Sequence, residues 1–261
     1  MIDVAAFVGP YPYRYVENTS PQFLVGEMDE MGIEIAWTAD LPSSLYKDPR
    51  GANRDLLKLL EPFRERLHPV LTIHPGMPDW KKDVDQAVKE GAPAIRAYPM
   101  QQGLEPAGRE MKELVTVCAE ERLALVLTVK FEDVRQRHPL DTAPDLPASA
   151  VRALARESQE SVLVITAPDR SFVEEVHFGL TPEEAARVFY DIGWIWGPPS
   201  NDLDRIVRTV GARRFVIGTG MPLRIPDAIN AKLDLSSLSK EDRAGIERRN
   251  IETCFFRSPK P

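Results

Sequence analysis

No stretch of this chain stays apolar for the roughly 20 residues that a bilayer-spanning helix needs. The start carries Asp3 and no basic segment ahead of an apolar one, so no signal peptide is expected. Cysteine is scarce: Cys118 and Cys254 are the only two in 261 residues, and no histidine pair accompanies them. This gives no support to a disulfide framework or a zinc site, and two reduced thiols of a cytoplasmic protein are expected. Histidine is nearly as rare, with four residues. Positive charge is in deficit, 33 Lys and Arg against 40 Asp and Glu for a net −7. The deficit is spread along the chain, which speaks against a nucleic-acid partner and against an anionic membrane surface. No Gly-x-Ser-x-Gly elbow occurs and neither cysteine ends a strand, so nucleophilic acyl transfer lacks support. Fixed repeats, low-complexity tracts and linkers are also missing, and residues 1–261 read as one domain.

What is present is alternation. Short β-rich runs following turn signals predict strands over Ile2–Val8, Ile33–Ala39, Leu67–Ile73, Ala94–Tyr98, Ala124–Val129, Val162–Thr166, Val188–Ile192 and Phe215–Gly218. Most are nearly continuous in apolar residues, as parallel strands covered on both faces must be. Helical spacing fills the gaps, over Pro21–Met31, Ala52–Glu65, Asp79–Glu90, Arg109–Arg122, Ala148–Ser158, Arg170–Val176, Asp202–Gly211 and Pro226–Lys232, with a closing helix over Lys240–Phe255. Gly32 and Gly91 stand where C-terminal stops belong, and Ser239 with Asp242 reads as a capping-box entry. Eight such units suit the ~250-residue (β/α)8 TIM barrel. A doubly wound open sheet is the alternative, but Val8-Gly9-Pro10-Tyr11-Pro12 is not the glycine-rich phosphate turn it expects. The long irregular stretches 9–20, 130–147 and 193–200 all follow strands, at the face where barrels build their sites.

The opening Ile2-Asp3-Val4, the unit ending Ala94-Ile95-Arg96-Ala97-Tyr98-Pro99, the segment Val210–Pro222 and the closing Ile246-Glu247-Arg248-Arg249-Asn250 carry a family likeness over nearly the whole chain. On these residues the sequence resembles the amidohydrolase-related group of the amidohydrolase superfamily. The resemblance implies a metal-dependent hydrolase or decarboxylase barrel, with ligands from a His-x-His pair on strand 1, later histidines and an aspartate ending strand 8. Here the His-x-His positions fall on Ala5 and Phe7, the strand 5 position on Thr128, the strand 6 position near Thr166 or Ala167, and the aspartate on Gly220. A methyl, a phenyl ring and a glycine ligate nothing. The expectation is therefore that no metal and no other cofactor serves the site, and that Phe7 points inward into the space a metal would take.

Of the histidines, His74 ends strand 3 at the barrel mouth, where it reads either as a proton shuttle or as a loop-facing side chain. Arg96 and Tyr98 share a face at the end of strand 4. They read as an anion-binding pair with Tyr98 catalytic, or as an Arg paired with an acid and a Tyr filling the barrel. Arg14 and its neighbouring tyrosines after strand 1, and Trp196 with Trp194 after strand 7, read as a stacking pocket or as a lid. Thr128 joins Arg96, Arg14 and Trp196 as a substrate-binding candidate. Asp40, Asp169 and Asp191 lie near strand ends, and nothing in the sequence brings two of them together. The expected partner is a small anionic or cyclic organic molecule, with a homo-oligomer left open. Two functions fit: an enzyme acting without the family's metal, or a non-catalytic relative serving as ligand sensor or assembly partner.

Overall fold

A computed structural model describes residues 1–197 and 199–255; of Cys254 and Phe255 it describes the backbone alone. Eight parallel strands run β1 Ile2–Val8, β2 Ile35–Asp40, β3 Leu67–Pro69 continued by Leu71–Thr72, β4 Ala94–Ala97, β5 Ala124–Thr128, β6 Val162–Thr166, β7 Val188–Asp191 and β8 Phe215–Val216. Each pairs with the next in sequence. The break in β3 falls at Val70, whose N–H still donates to the Thr38 carbonyl at 2.9 Å. The Val4 N–H reaches the Ile217 carbonyl at 2.9 Å and Asp3 bridges Ile217, so the last strand returns to the first. This is the closed (β/α)8 order rather than the doubly wound alternative, with no open edge among the described strands.

The residues sort by strand parity into two apolar layers. Val4, Val70, Ala94, Val126, Val164 and Val216 fill the barrel. Leu71, Ile95, Leu125, Leu127, Ile165 and Ile217 face outward and pack under the helices. β1 breaks parity between Asp3 and Ala6, where its register against β2 shifts. As a result Val4 and Phe7, three apart, both belong to the inner layer, while Ala6 and Val8 belong to the outer one. Asp3 holds this irregularity: its carboxylate accepts from the Ala5 N–H at 2.9 Å, the Thr219 N–H at 3.0 Å and the Thr219 hydroxyl at 2.5 Å.

The helices are α1 Pro21–Met31, α2 Arg50–Leu60, α3 Trp80–Lys89, α4 Arg109–Glu120, α5 Ala148–Ala155, α6 Arg170–Phe178, α7 Asp202–Val210 and α8 Asp227–Leu235. α2 ends before the expected Glu65, because Pro62 tightens the chain into a 3-10 turn over Glu61–Phe63. Two short helices, Pro99–Gln102 and Pro182–Ala185, are too brief for periodicity to reveal. The closing helix runs over the expected Lys240–Phe255 and is widened by a π turn over Gly245–Arg249. Its purpose is visible at Asn250, whose buried amide donates to the Ala212 and Phe215 carbonyls at 2.9 and 2.8 Å and ties the helix to the start of β8. No helix among the described residues is long and apolar enough to cross a membrane.

Candidate functional site at the barrel mouth

The C-terminal strand ends surround a cavity of about 20 Å³, lined among others by Ala5, Phe7, Thr128, Thr166, Asp191 and Gly220. That is room for about one water. Phe7 and Phe131, which meet edge to face at 6.2 Å, line it together with Trp194 and Leu223.

Asp191, the last residue of β7, is the buried carboxyl of this cavity. Its oxygens accept the Gly193 and Ala167 N–H groups, each at 2.9 Å. Ala167 takes a left-handed φ of 58° to aim its amide there. Burial pushes the Asp191 carboxyl up to about 6, against the pull of those two amides and of the Arg224 and Lys232 charges. Asp40 and Asp169 do not join it. Asp40 accepts from the Ser43 N–H at 2.8 Å, and Asp169 caps α6 and pairs with Lys130 at 3.1 Å.

Around Asp191 stand cations that sequence reasoning did not single out. Arg224 lies on Trp194, its guanidinium carbon 3.8 Å from the ring centroid, and it donates to the Phe131 carbonyl at 2.8 Å. Lys130 approaches the same ring at 5.0 Å. Lys232, on α8, donates to the Ile192 and Gly193 carbonyls at 2.9 and 2.6 Å. Burial lowers Arg224 to about 10 and Lys232 to about 8. Neither has a carboxylate within ion-pair distance among the described residues, unlike Lys130. Arg224 lines both the mouth cavity and an outer groove of about 400 Å³ that also carries Trp194, Trp196, Ile225 and Lys232. The available signal was position alone: Lys130 and Arg224 follow strand ends.

Of the residues picked from sequence, Thr128 lines the mouth cavity and Trp196, 63% exposed, lines the groove. Arg14 sits at the rim, paired with Glu132 at 2.7 Å and donating to the Leu223 carbonyl. Arg96 is fully buried inside the barrel, its guanidinium under the Phe7 ring at 4.8 Å. It donates to the Thr128 hydroxyl at 3.0 Å and the Val4 carbonyl at 2.9 Å. The acid expected as its partner is replaced by these neutral acceptors, with Asp3 acting on it through space. Tyr98 is buried against Phe131 at 5.5 Å. His74 is buried with Nδ1 accepting the Gly76 N–H at 3.1 Å, and burial lowers its pKa. Neither Arg96, Tyr98 nor His74 lines the mouth cavity or the groove.

The lining does not fit a divalent metal. Such an ion needs imidazoles or several free carboxylate oxygens. Here the ring of positions holds Ala5, Phe7, Thr128, Thr166 and Gly220, and both Asp191 oxygens are engaged by amides. Among the described residues, no three His, Cys, Asp or Glu side chains stand together to hold one. Gly220 has a φ of 73°, and a Cβ there would lie 2.8 Å from Arg224 Cδ. The stem of a cationic side chain thus lies against the position that the resemblance gives to a ligating aspartate.

No family model matches the sequence, and no curated protein matches it. Solved structures do. A 2,6-dihydroxybenzoate decarboxylase from Rhizobium is similar at a TM-score of 0.71 and 13% identity, over 98% of this chain and 99% of that one. A probable 2-pyrone-4,6-dicarboxylic acid hydrolase from Acinetobacter baumannii with citric acid bound gives 0.69 and 14%, over 97% and 98%. A dihydroxybenzoic acid decarboxylase from Polaromonas, with bound manganese and 2-nitroresorcinol, gives 0.72 and 12%, over 97% and 96%. At these identities the likeness is one of fold: this chain shares, over nearly its whole length, the (β/α)8 barrel of these structures.

Proposed function

We propose that this amidohydrolase-like barrel takes a small carboxylated organic molecule in the groove outside its mouth cavity, with protein cations in the role a fold relative gives to a metal. The observation that carries this reading is Arg224. This half-buried guanidinium has a ring face and a backbone carbonyl as its contacts and no acid partner among the described residues, so it is placed to take an anion. Arg224 faces both the cavity and the groove, and Lys130 and Lys232 add to the same positive field. Two fold neighbours support the ligand class, one holding 2,6-dihydroxybenzoate and one citric acid. Asp191, with its carboxyl near 6, is the proton-transfer group of this reading. Thr128 and Trp196 contribute as lining residues, while Arg96, Tyr98 and His74 support the mouth from beneath or beside it.

The small volume of the mouth cavity favours a second reading, a ligand sensor in which the groove binds and no chemistry follows. Thermal-shift screening of citrate, benzoate and small dicarboxylates against matched neutral amides tests the first step. The carboxylates should raise the melting temperature of wild type and have little effect on Arg224→Gln. Equal shifts in both proteins would remove Arg224 from the site. Turnover of a binder, and its loss in Asp191→Asn, separates enzyme from sensor.

A further inference from the structure

Lys232 is a half-buried amine that this reading uses only as background charge. Its stem packs beside Gly197, where an added Cβ would lie 3.1 Å from Lys232 Cγ, and its side chain lines the groove. Its nitrogen has two acceptors, the Ile192 and Gly193 carbonyls, and no carboxylate within ion-pair distance among the described residues. Two acceptors can take the two N–H groups of a neutral amine. The groove also holds Arg224, a carboxylate receptor, and Asp191 lies close enough to act on both cations through space.

We propose that Lys232 is a nucleophile that condenses with the carbonyl carbon of a small 2-oxo acid in the groove, whose carboxylate lies against Arg224. This rests on the carboxylate reading above and extends it from binding to covalent chemistry. The nitrogen lone pair forms the C–N bond and the carbonyl oxygen becomes a hydroxyl. The C–O bond then breaks and water departs with both amine protons, leaving an imine. Protonation from solvent gives an iminium, which keeps one N–H for the two backbone carbonyls. The depressed pKa supports this: an amine near 8 is half unprotonated at that pH, whereas an exposed lysine near 10.4 is neutral to about 1% or less.

The test is reductive trapping. Full-length protein is incubated with pyruvate and sodium cyanoborohydride, and the modified lysine is located by peptide mass mapping. The expected result is a saturable adduct at Lys232, absent in Lys232→Arg, with circular dichroism confirming that the variant folds. Arg224→Gln should raise the pyruvate concentration for half-trapping by at least about tenfold. Adducts spread evenly over surface lysines would overturn the proposal. So would a carboxylate-induced thermal shift without an adduct at Lys232, and that outcome would leave the carboxylate reading standing. Absence of both shift and adduct would bring down the two together.

Discussion

A Cβ atom on Gly218 would lie 2.6 Å from Asp191 Oδ2 and 2.5 Å from Asp191 Cβ. The carboxyl is therefore seated against bare backbone, with the amides of Ala167 and Gly193 fixing its two oxygens. Gly218→Ala should displace Asp191 and lower stability by about 1–3 kcal/mol, the usual cost of overpacking. Urea unfolding of the variant measures this. Unchanged stability would mean that the carboxyl is not held in this seat.

Asp191 also makes stability depend on pH. Its carboxyl holds a proton more tightly in the folded chain, about 6 against a free value of 3.8. The folded state then binds more protons than the unfolded state in that window, so stability falls as pH rises through it. The loss is at most about 3 kcal/mol at full ionisation. Asp40, also raised to about 6, adds a similar slope. Asp191→Asn should remove one slope and keep the other, which urea midpoints between about pH 4 and pH 7 resolve. A wild-type slope retained in full by the variant would assign the whole effect elsewhere.

The barrel was legible because eight apolar runs and the intervening 3.6-residue periodicities are properties of single elements. Register between elements is not. The irregularity at Asp3–Ala6 is set by contacts with Thr219, more than 200 residues away, and periodicity within β1 does not contain it. The site divides in the same way. Strand-end positions such as Thr128 and Asp191 followed from the fold, and both line the cavity. Arg224 and Lys232 come from the chain after β8, where no periodicity marks a residue as facing the mouth. Arg96 was visible as a strand-end arginine, but its enclosure under Phe7 depends on the shifted phase of β1.

Gly220 is the position at which a ligating aspartate would be restored, and it resists one. Its φ of 73° disfavours any side chain, and an added Cβ would press on Arg224 Cδ. Gly220→Ala should cost about 1 kcal/mol or more in stability and weaken carboxylate-induced thermal shifts by moving Arg224. For the same reason, untagged wild-type protein should retain only substoichiometric zinc or manganese after dialysis against each, as elemental analysis reads it. A full equivalent of either metal would show that donors other than these positions assemble a centre.

Arg96 separates support from recognition. Its guanidinium is fully buried and donates to Thr128 and the Val4 carbonyl, beneath a phenyl ring that lies between it and the cavity. Arg96→Lys keeps the charge but loses the fork that reaches both acceptors at once. Leaving buried acceptors unpaired costs about 1–3 kcal/mol each, so the variant's baseline melting temperature should drop clearly. Thermal shifts induced by carboxylates should match those of wild type once each is referenced to its own baseline, because Arg224 lines the cavity and Arg96 does not. The opposite pattern, a nearly unchanged baseline with lost ligand shifts, would place Arg96 in contact with the ligand. It would also require Phe7 to swing aside on binding.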